Sequence, residues 1–263
     1  LRKNLVKLLS INKYDVIHLQ SANHWIAGIV NSAFSRTKLV VTIWGSDFLR
    51  ASNYRLKKMK PIFLKAEAIT FATQKISNDF DAVYLTNKKH RVIKFGLEVF
   101  KYIDTIKSSN YKSDKVIVTI GYNRHPAQQH IAVVKSLSNL SSDIKNRIKL
   151  VLPFTYGPVD NKYLQELVFQ LDEAKIDYEF LNEFMTEEEV AEQCLKSDLM
   201  IQVQKTDAFS GSMQEYMYAG NIVITGAWLP YQELKEKGVF FVTVNEISDI
   251  PTQLKYIISN YSS

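Results

Sequence analysis

The 263-residue chain is short of the residues that build several common protein classes. Its single cysteine, Cys194, cannot form an internal disulfide, so a disulfide scaffold is excluded and a reducing compartment fits. No stretch approaches about 18 uncharged apolar residues, so no membrane-spanning helix is expected. Glycine is sparse, with nine in all. There is no Gly-x-Gly-x-x-Gly and no P-loop, which weakens dehydrogenase and kinase readings. Nor is there a Gly-x-Ser-x-Gly elbow. No signal peptide is visible. The chain starts at Leu1 without a methionine, inside what reads as a helix, and is expected to be a processed or truncated product.

What is present is ordinary globular material, 46% apolar and 23% charged. The length suits one large domain or two modest ones. Charge divides the chain. Residues 1–110 carry 19 Lys and Arg against 7 Asp and Glu, and the remainder is net acidic. The densest basic stretch runs from Tyr54 to Lys65, and a second covers Lys88, Lys89, His90 and Arg91. Basic residues interleaved with Leu, Met, Ile and Phe suit an anionic membrane surface. They also suit nucleic acid or a merely solvated helix face.

Hydrophobic patterning alternates short β-branched runs with helical periodicity. Strands are expected at 15–19, 38–43, 68–72, 92–95, 115–120, 148–153, 178–181, 199–203, 222–225 and 239–242. Helices are expected at 24–34, 54–65, 128–139, 161–174, from 186, 212–219, near 230–237 and at 250–260. The polar stretch 107–113 reads as an interdomain linker. The fold class is therefore α/β, with two Rossmann-like, doubly wound parallel-sheet domains at 1–110 and 111–263 facing a cleft, the first incomplete. Ligands should meet the loops beyond the carboxyl ends of the strands, at 20–25, 44–50, 121–130, 153–159, 182–186, 204–215 and 226–231.

The strongest chemical signal runs from Gln204 to Thr225. A strand leads to a turn of small residues, Ser210, Gly211 and Ser212, then a short helix closed by Gly220. Backbone N–H groups at Gly211, Ser212 and Met213 would attract phosphate. Asp207 and Glu215 stand eight positions apart and suit sugar hydroxyls. Ser212-x-x-Glu215 is also a capping-box pattern. A second element, Gly121 to His130, follows the first strand of the second domain and offers Arg124 and His130.

These elements resemble the acidic-x7-acidic motif and the Gly-Arg turn of two-domain GT-B glycosyltransferases, especially the retaining group-1 (GT4-like) family. The resemblance implies that Asp207 reaches a donor sugar and Glu215 a nucleotide ribose, while Arg124 and His130 hold a diphosphate. Asp207 replaces the usual Glu, and His130 the usual Lys. Gly121-Tyr122-Asn123, His130-Ile131 and Leu152-Pro153-Phe154-Thr155-Tyr156 look similar to bacterial 4-acetamido-fucosyltransferases, which places Tyr156 at the donor. That family inverts, so the stereochemical outcome stays open. In the first domain Val41 to Asp47 resembles the family's strand-His-Gly-small-Asp pattern, with Trp44 for His. Asp47 is the candidate base on the acceptor side, and the alternative is a helix cap. His24 ends a region similar to Val-Ile-His-x-His. The family's opening strand, Gly-rich loop and helix have no counterpart here, so about 60–90 residues are missing relative to two full domains.

Asp79 and Asp81 form an Asp-x-Asp, but in a helix such neighbours point apart, so no metal site is expected. Cys194 is expected in the core. The implied activity is a metal-independent GT-B glycosyltransferase of hexosyltransferase type with no cofactor. It would use a nucleotide-diphosphate sugar and a glycan or lipid-linked acceptor in bacterial cell-surface polysaccharide synthesis. Its place would be the cytoplasm, at the inner face of the cell membrane through a peripheral contact with anionic lipid. A non-catalytic nucleotide-sugar-binding member of the fold is the alternative. A nucleic-acid partner ranks last, because aromatics are not clustered among the cations.

Overall fold

The computed structural model describes residues 2–11, 14–33, 37–86, 89–106, 111 and 113–260. Two compact units result. The first holds Leu1–Gly96 with Thr206–Phe209, the second Leu97–Lys205 with Ser210–Ser263. The expected boundary at 110 thus moves to 96, because helix α6 (Val99–Ile106) buries Val99 and Ile103 in the second unit's core. Of the expected linker 107–113, only 111 and 113 lie among the described residues, and Phe34 and Lys88 lie outside them.

The first unit is a four-stranded parallel sheet in the order β1 (Val16–Leu19), β2 (Lys38–Ile43), β3 (Ala68–Phe71), β4 (His90–Val92). Its helices include α1 (Arg2–Ile11), α2 (Ala27–Ala33), α3 (Ser46–Leu49), α4 (Asn53–Lys65) and α5 (Gln74–Tyr84). The core joins Leu39, Val41, Ile43, Ile69 and Phe71 to residues of α2, α4 and α5. Phe80 packs its ring 4.7 Å from that of Phe63 and 5.2 Å from that of Phe71. Such aromatic pairs add about 0.5–1.5 kcal/mol beyond their buried area. On the edge strand β1, Val16 and His18 share one face and are exposed.

The expected strand at 92–95 is β4, two residues earlier. His90 pairs with Ile69, and its ring is within hydrogen-bond distance of the Ser77 and Thr86 hydroxyls, which draws it against Phe71 and Phe80. Segment 206–209 is fixed within this unit. Arg50 Nε donates to Thr206 Oγ1 at 2.9 Å and its Nη2 to the Thr206 carbonyl at 2.8 Å. Ala208 is buried against Gly45. Gly45 has φ 105°, and a side chain there would reach within 2.6 Å of the Ala208 Cβ, so only glycine fits.

The second unit is a six-stranded parallel sheet ordered β10-β9-β8-β5-β6-β7. The strands are β5 (Val116–Ile120), β6 (Ile148–Pro153), β7 (Asp177–Leu181), β8 (Leu199–Gln202), β9 (Ile222–Gly226) and β10 (Val242–Val244). Helices α7 (His130–Leu137), α8 (Ser142–Asn146), α9 (Asn161–Ala174) and α13 (Ile250–Asn260) contribute to one core. α10 (Glu187–Lys196), α11 (Gly211–Tyr218) and α12 (Gln232–Glu236) join α6 in another. Cys194 is buried in that second core, as its apolar position implies. The expected strand at 239–242 is β10, shifted because Phe241 turns into the core beside Tyr231. The chain winds outward from β5 to β7, then returns to β8 on the other side of β5. That reversal is a topological switch point, and ligands of such sheets bind beyond it.

Candidate functional site

Loops following β5, β6 and β7, with helices α6, α10 and α11, line a pocket of about 220 Å³ in the second unit. Tyr122 comes from the first loop, Thr155 and Tyr156 from the second, Phe184 and Met185 from the third, and Ser212 and Glu215 from α11. Burial pushes the Glu215 carboxyl up to about 7, so it titrates near neutrality. Burial also raises the Tyr156 phenol, a hydrogen bond with the Asn123 side chain opposes this, and the Glu215 charge adds to it. The loops after β5 and β6 are tied together. The Arg124 backbone N–H donates to the Tyr156 carbonyl at 3.0 Å, and Arg124 Nε donates to the Gly157 carbonyl. Arg124 is exposed beside that tie.

The front of α11 differs from the expected cap. Ser210, not Ser212, is the N-cap, and its Oγ accepts from the Met213 N–H at 3.1 Å. Met213 is buried, so its N–H serves the helix and not a ligand. Gly211 and Ser212 precede it in the first turn, and Ser212 lines the pocket. Glu215 sits in the second turn rather than in a capping box, and it lines the pocket. Ser210 is itself held by Gln202 Nε2, which donates to its Oγ at 3.1 Å. Behind them Gln128 Nε2 and the Tyr122 hydroxyl both donate to Gln204 Oε1, and Trp228 Nε1 donates to the Gln204 carbonyl.

His130 departs from its expected part. It is fully buried, its Nδ1 lies 3.2 Å from the Tyr163 hydroxyl, and burial lowers its pKa to about 4. It is neutral and packed against Phe154, so it brings no positive charge to a diphosphate. Its Nε2 turns toward Gly121, whose φ of 65° a bare glycine accommodates. Asp207 falls in segment 206–209, grouped with the first unit, where its Oδ1 accepts from the Ala208 N–H at 2.8 Å.

In the first unit Asp47 is a clamp. Its Oδ2 accepts from Ser21 Oγ at 3.3 Å and the Ala22 N–H at 3.1 Å. Its Oδ1 accepts from the Trp44 and Gly45 N–H groups at 3.1 and 3.0 Å. Burial raises its pKa, and the bonds from Ala22, Gly45 and Ser21 oppose the rise. Both oxygens thus join the loops after β1 and β2. His24 is half-buried in the turn that follows Ala22.

Among the described residues no group of three or more His, Cys, Asp or Glu is placed to hold a metal. No helix described is long and apolar enough to cross a membrane. Asp79 is ion-paired with Lys75 at 2.8 Å. Sequence reasoning flagged the loop of Phe184 and Met185 without naming either residue. It missed Val99 and Gln193, pocket residues from α6 and α10. Neither carried a loop signal, because each belongs to a helix.

Residues 1–87 match the model of the glycosyl transferase 4-like family. No curated protein matches the chain. The structure is similar to that of HepE from Anabaena in complex with UDP-glucose. Identity is 17%, with 98% of this chain and 72% of that one covered and a TM-score of 0.78. It is also similar to the UDP-forming α,α-trehalose-phosphate synthase of Burkholderia xenovorans, at 12% identity, 98% and 69% coverage and a TM-score of 0.73. The N-terminal domain of Candida albicans trehalose-6-phosphate phosphatase is similar at 12% identity, 100% and 66% coverage and a TM-score of 0.71. The fold is the GT-B fold of glycosyltransferases. Within it, the first unit carries the glycosyl transferase 4-like match.

Proposed function

We propose that this chain is a metal-independent glycosyltransferase of hexosyltransferase type. It moves a sugar from a nucleotide diphosphate to a glycan or lipid-linked acceptor in bacterial cell-surface polysaccharide synthesis, at the inner face of the cell membrane. The observation that carries the reading is the half-buried Glu215 carboxylate facing a pocket at the switch point of the second sheet, one turn behind the Gly211 and Ser212 amides. The carboxylate accepts hydrogen bonds from the ribose hydroxyls. Phe184, Met185 and Tyr156 offer apolar surface to the base. The two amides, the α11 dipole and Arg124 stabilise negative charge as the sugar–oxygen bond breaks and the diphosphate departs. Asp207 takes the donor sugar, as the family resemblance implies. On the acceptor side Asp47 receives the hydroxyl proton and His24 approaches the acceptor, as the family resemblance implies. The scheme needs no cofactor besides the sugar nucleotide.

HepE was crystallised with UDP and with UDP-glucose, so uridine nucleotides are the first probes. A melting-temperature panel of UDP, TDP, GDP, CMP and their sugars tests the site. A ligand at about 100 times its Kd stabilises by about 3 kcal/mol. One nucleotide should stabilise selectively, and Glu215→Ala should abolish the effect. No response from a folded protein would remove the donor-site assignment. Binding without turnover of any acceptor would favour the non-catalytic alternative, which the uncharged His130 supports.

A further inference from the structure

We propose that the outward face of α4, with the adjoining end of α5, docks on an anionic lipid bilayer. The inference deepens the membrane part of the reading above, and its test involves no sugar donor. α4 turns Met59, Ile62 and Phe63 into the core. Tyr54, Lys57, Lys58, Pro61, Leu64 and Lys65 recur at helical spacing and share the opposite face. Tyr54 is 64% exposed and Leu64 54%. Lys58 Nζ lies 5.7 Å from the centre of the Tyr54 ring. From Phe48 to Ala66 the sequence has no Asp or Glu. Among the described residues no ion pair engages Lys57, Lys58, Lys60 or Lys65.

The end of α5 packs on α4. The Tyr84 hydroxyl donates to the Leu56 carbonyl, and Lys89 Nζ to the Leu64 carbonyl. Leu85 follows at the C-cap, 84% exposed and in the left-handed region with φ 53°. Glycine or asparagine would sit there at less cost. A leucine in that conformation, with its side chain in solvent, stabilises nothing inside the fold. Protruding Tyr54, Leu64 and Leu85 among unpaired lysines match a bilayer interface. The ammonium groups meet anionic headgroups, and the apolar tips enter the acyl boundary. Nucleic acid is less well served, because Tyr54 is the one aromatic among these cations and base stacking needs several.

The test is co-sedimentation with vesicles of phosphatidylcholine alone and of phosphatidylcholine mixed with phosphatidylglycerol, over a range of salt. Binding is expected to the mixed vesicles only, weakening as salt rises. Lys57→Glu/Lys58→Glu/Lys65→Glu should reduce it by about tenfold or more. Leu64→Ser/Leu85→Ser should weaken it while leaving its salt dependence in place. Circular dichroism and melting check the fold, and if charge reversal prevents folding the triple Lys→Gln variant replaces it. Equal sedimentation with both vesicle types, variants that bind like the parent, or tighter binding to RNA than to vesicles would each overturn the proposal. Donor binding enters none of these readouts, so the nucleotide panel and this test fail independently.

Discussion

Glu215 sets the chemistry of the pocket through where it is placed. A carboxyl whose pKa is about 7 in the folded chain and 4.5 when unfolded binds more protons in the native state between those values. Stability therefore falls as pH rises from about 4.5 to about 7, and the burden is complete above that window. A shift of that size corresponds to about 3 kcal/mol. Glu215→Gln keeps the shape and removes the charge. The variant should melt several degrees higher than the parent at pH 8, with the advantage shrinking steadily toward pH 4.5. Parallel melting curves at every pH would show that the carboxyl is not buried as described. The same variant should bind nucleotide more weakly at pH 8, since an amide accepts ribose hydroxyls less well than a carboxylate. Stability and binding would then move in opposite directions, as expected where a site holds an ill-solvated charge for a ligand to satisfy.

At the scale of the element, α11 depends on a strand that lies eight residues before it in sequence. Ser210 caps the helix, and Gln202 at the end of β8 holds Ser210. Ser210→Ala removes the cap, worth about 1 kcal/mol. It also strands a fully buried Gln202 amide, worth about 1–3 kcal/mol more. The midpoint of urea unfolding should fall accordingly, and Ser210→Thr should recover most of the loss. A fall no larger than that of an isolated cap would dissociate Gln202 from the arrangement.

This helix also shows how far sequence carries. Its existence and end were legible from the small-residue turn and Gly220. Its start was not, because Ser210 and Ser212 both satisfy local capping rules and only the partner on β8 chooses between them. β4 was misplaced for a related reason, since the Ser77 and Thr86 hydroxyls that draw in His90 are distant in sequence or beyond a turn. α6 escaped notice because its eight residues directly precede a polar stretch. Of the candidate site, Glu215, Ser212 and Tyr156 were legible from motif order. The burial that neutralises His130 was not, because Tyr163 and Phe154 meet it only in the folded sheet.

At the scale of the whole molecule, the basic excess follows the first unit and the pocket belongs to the second. Every residue lining that pocket, from Val99 to Tyr216, falls within 97–205 or 210–263. The division of labour is testable by hydrogen exchange with and without nucleotide. A ligand slows exchange where it suppresses local opening, by at most its own binding free energy. With UDP, or whichever diphosphate the melting panel selects, protection should rise at 121–124, 154–157, 184–187 and along α11. The amides of Gly211 and Ser212 should respond most, because they are the groups expected to meet phosphate. The Met213 amide should change less, being already bonded to Ser210. Protection confined to residues 16–96 would place the nucleotide on the first unit and remove Glu215 from the site. Equal protection of Met213 and its two neighbours would mean that the ligand stabilises the helix as a block, and the assignment of the phosphate to its first two amides would be withdrawn.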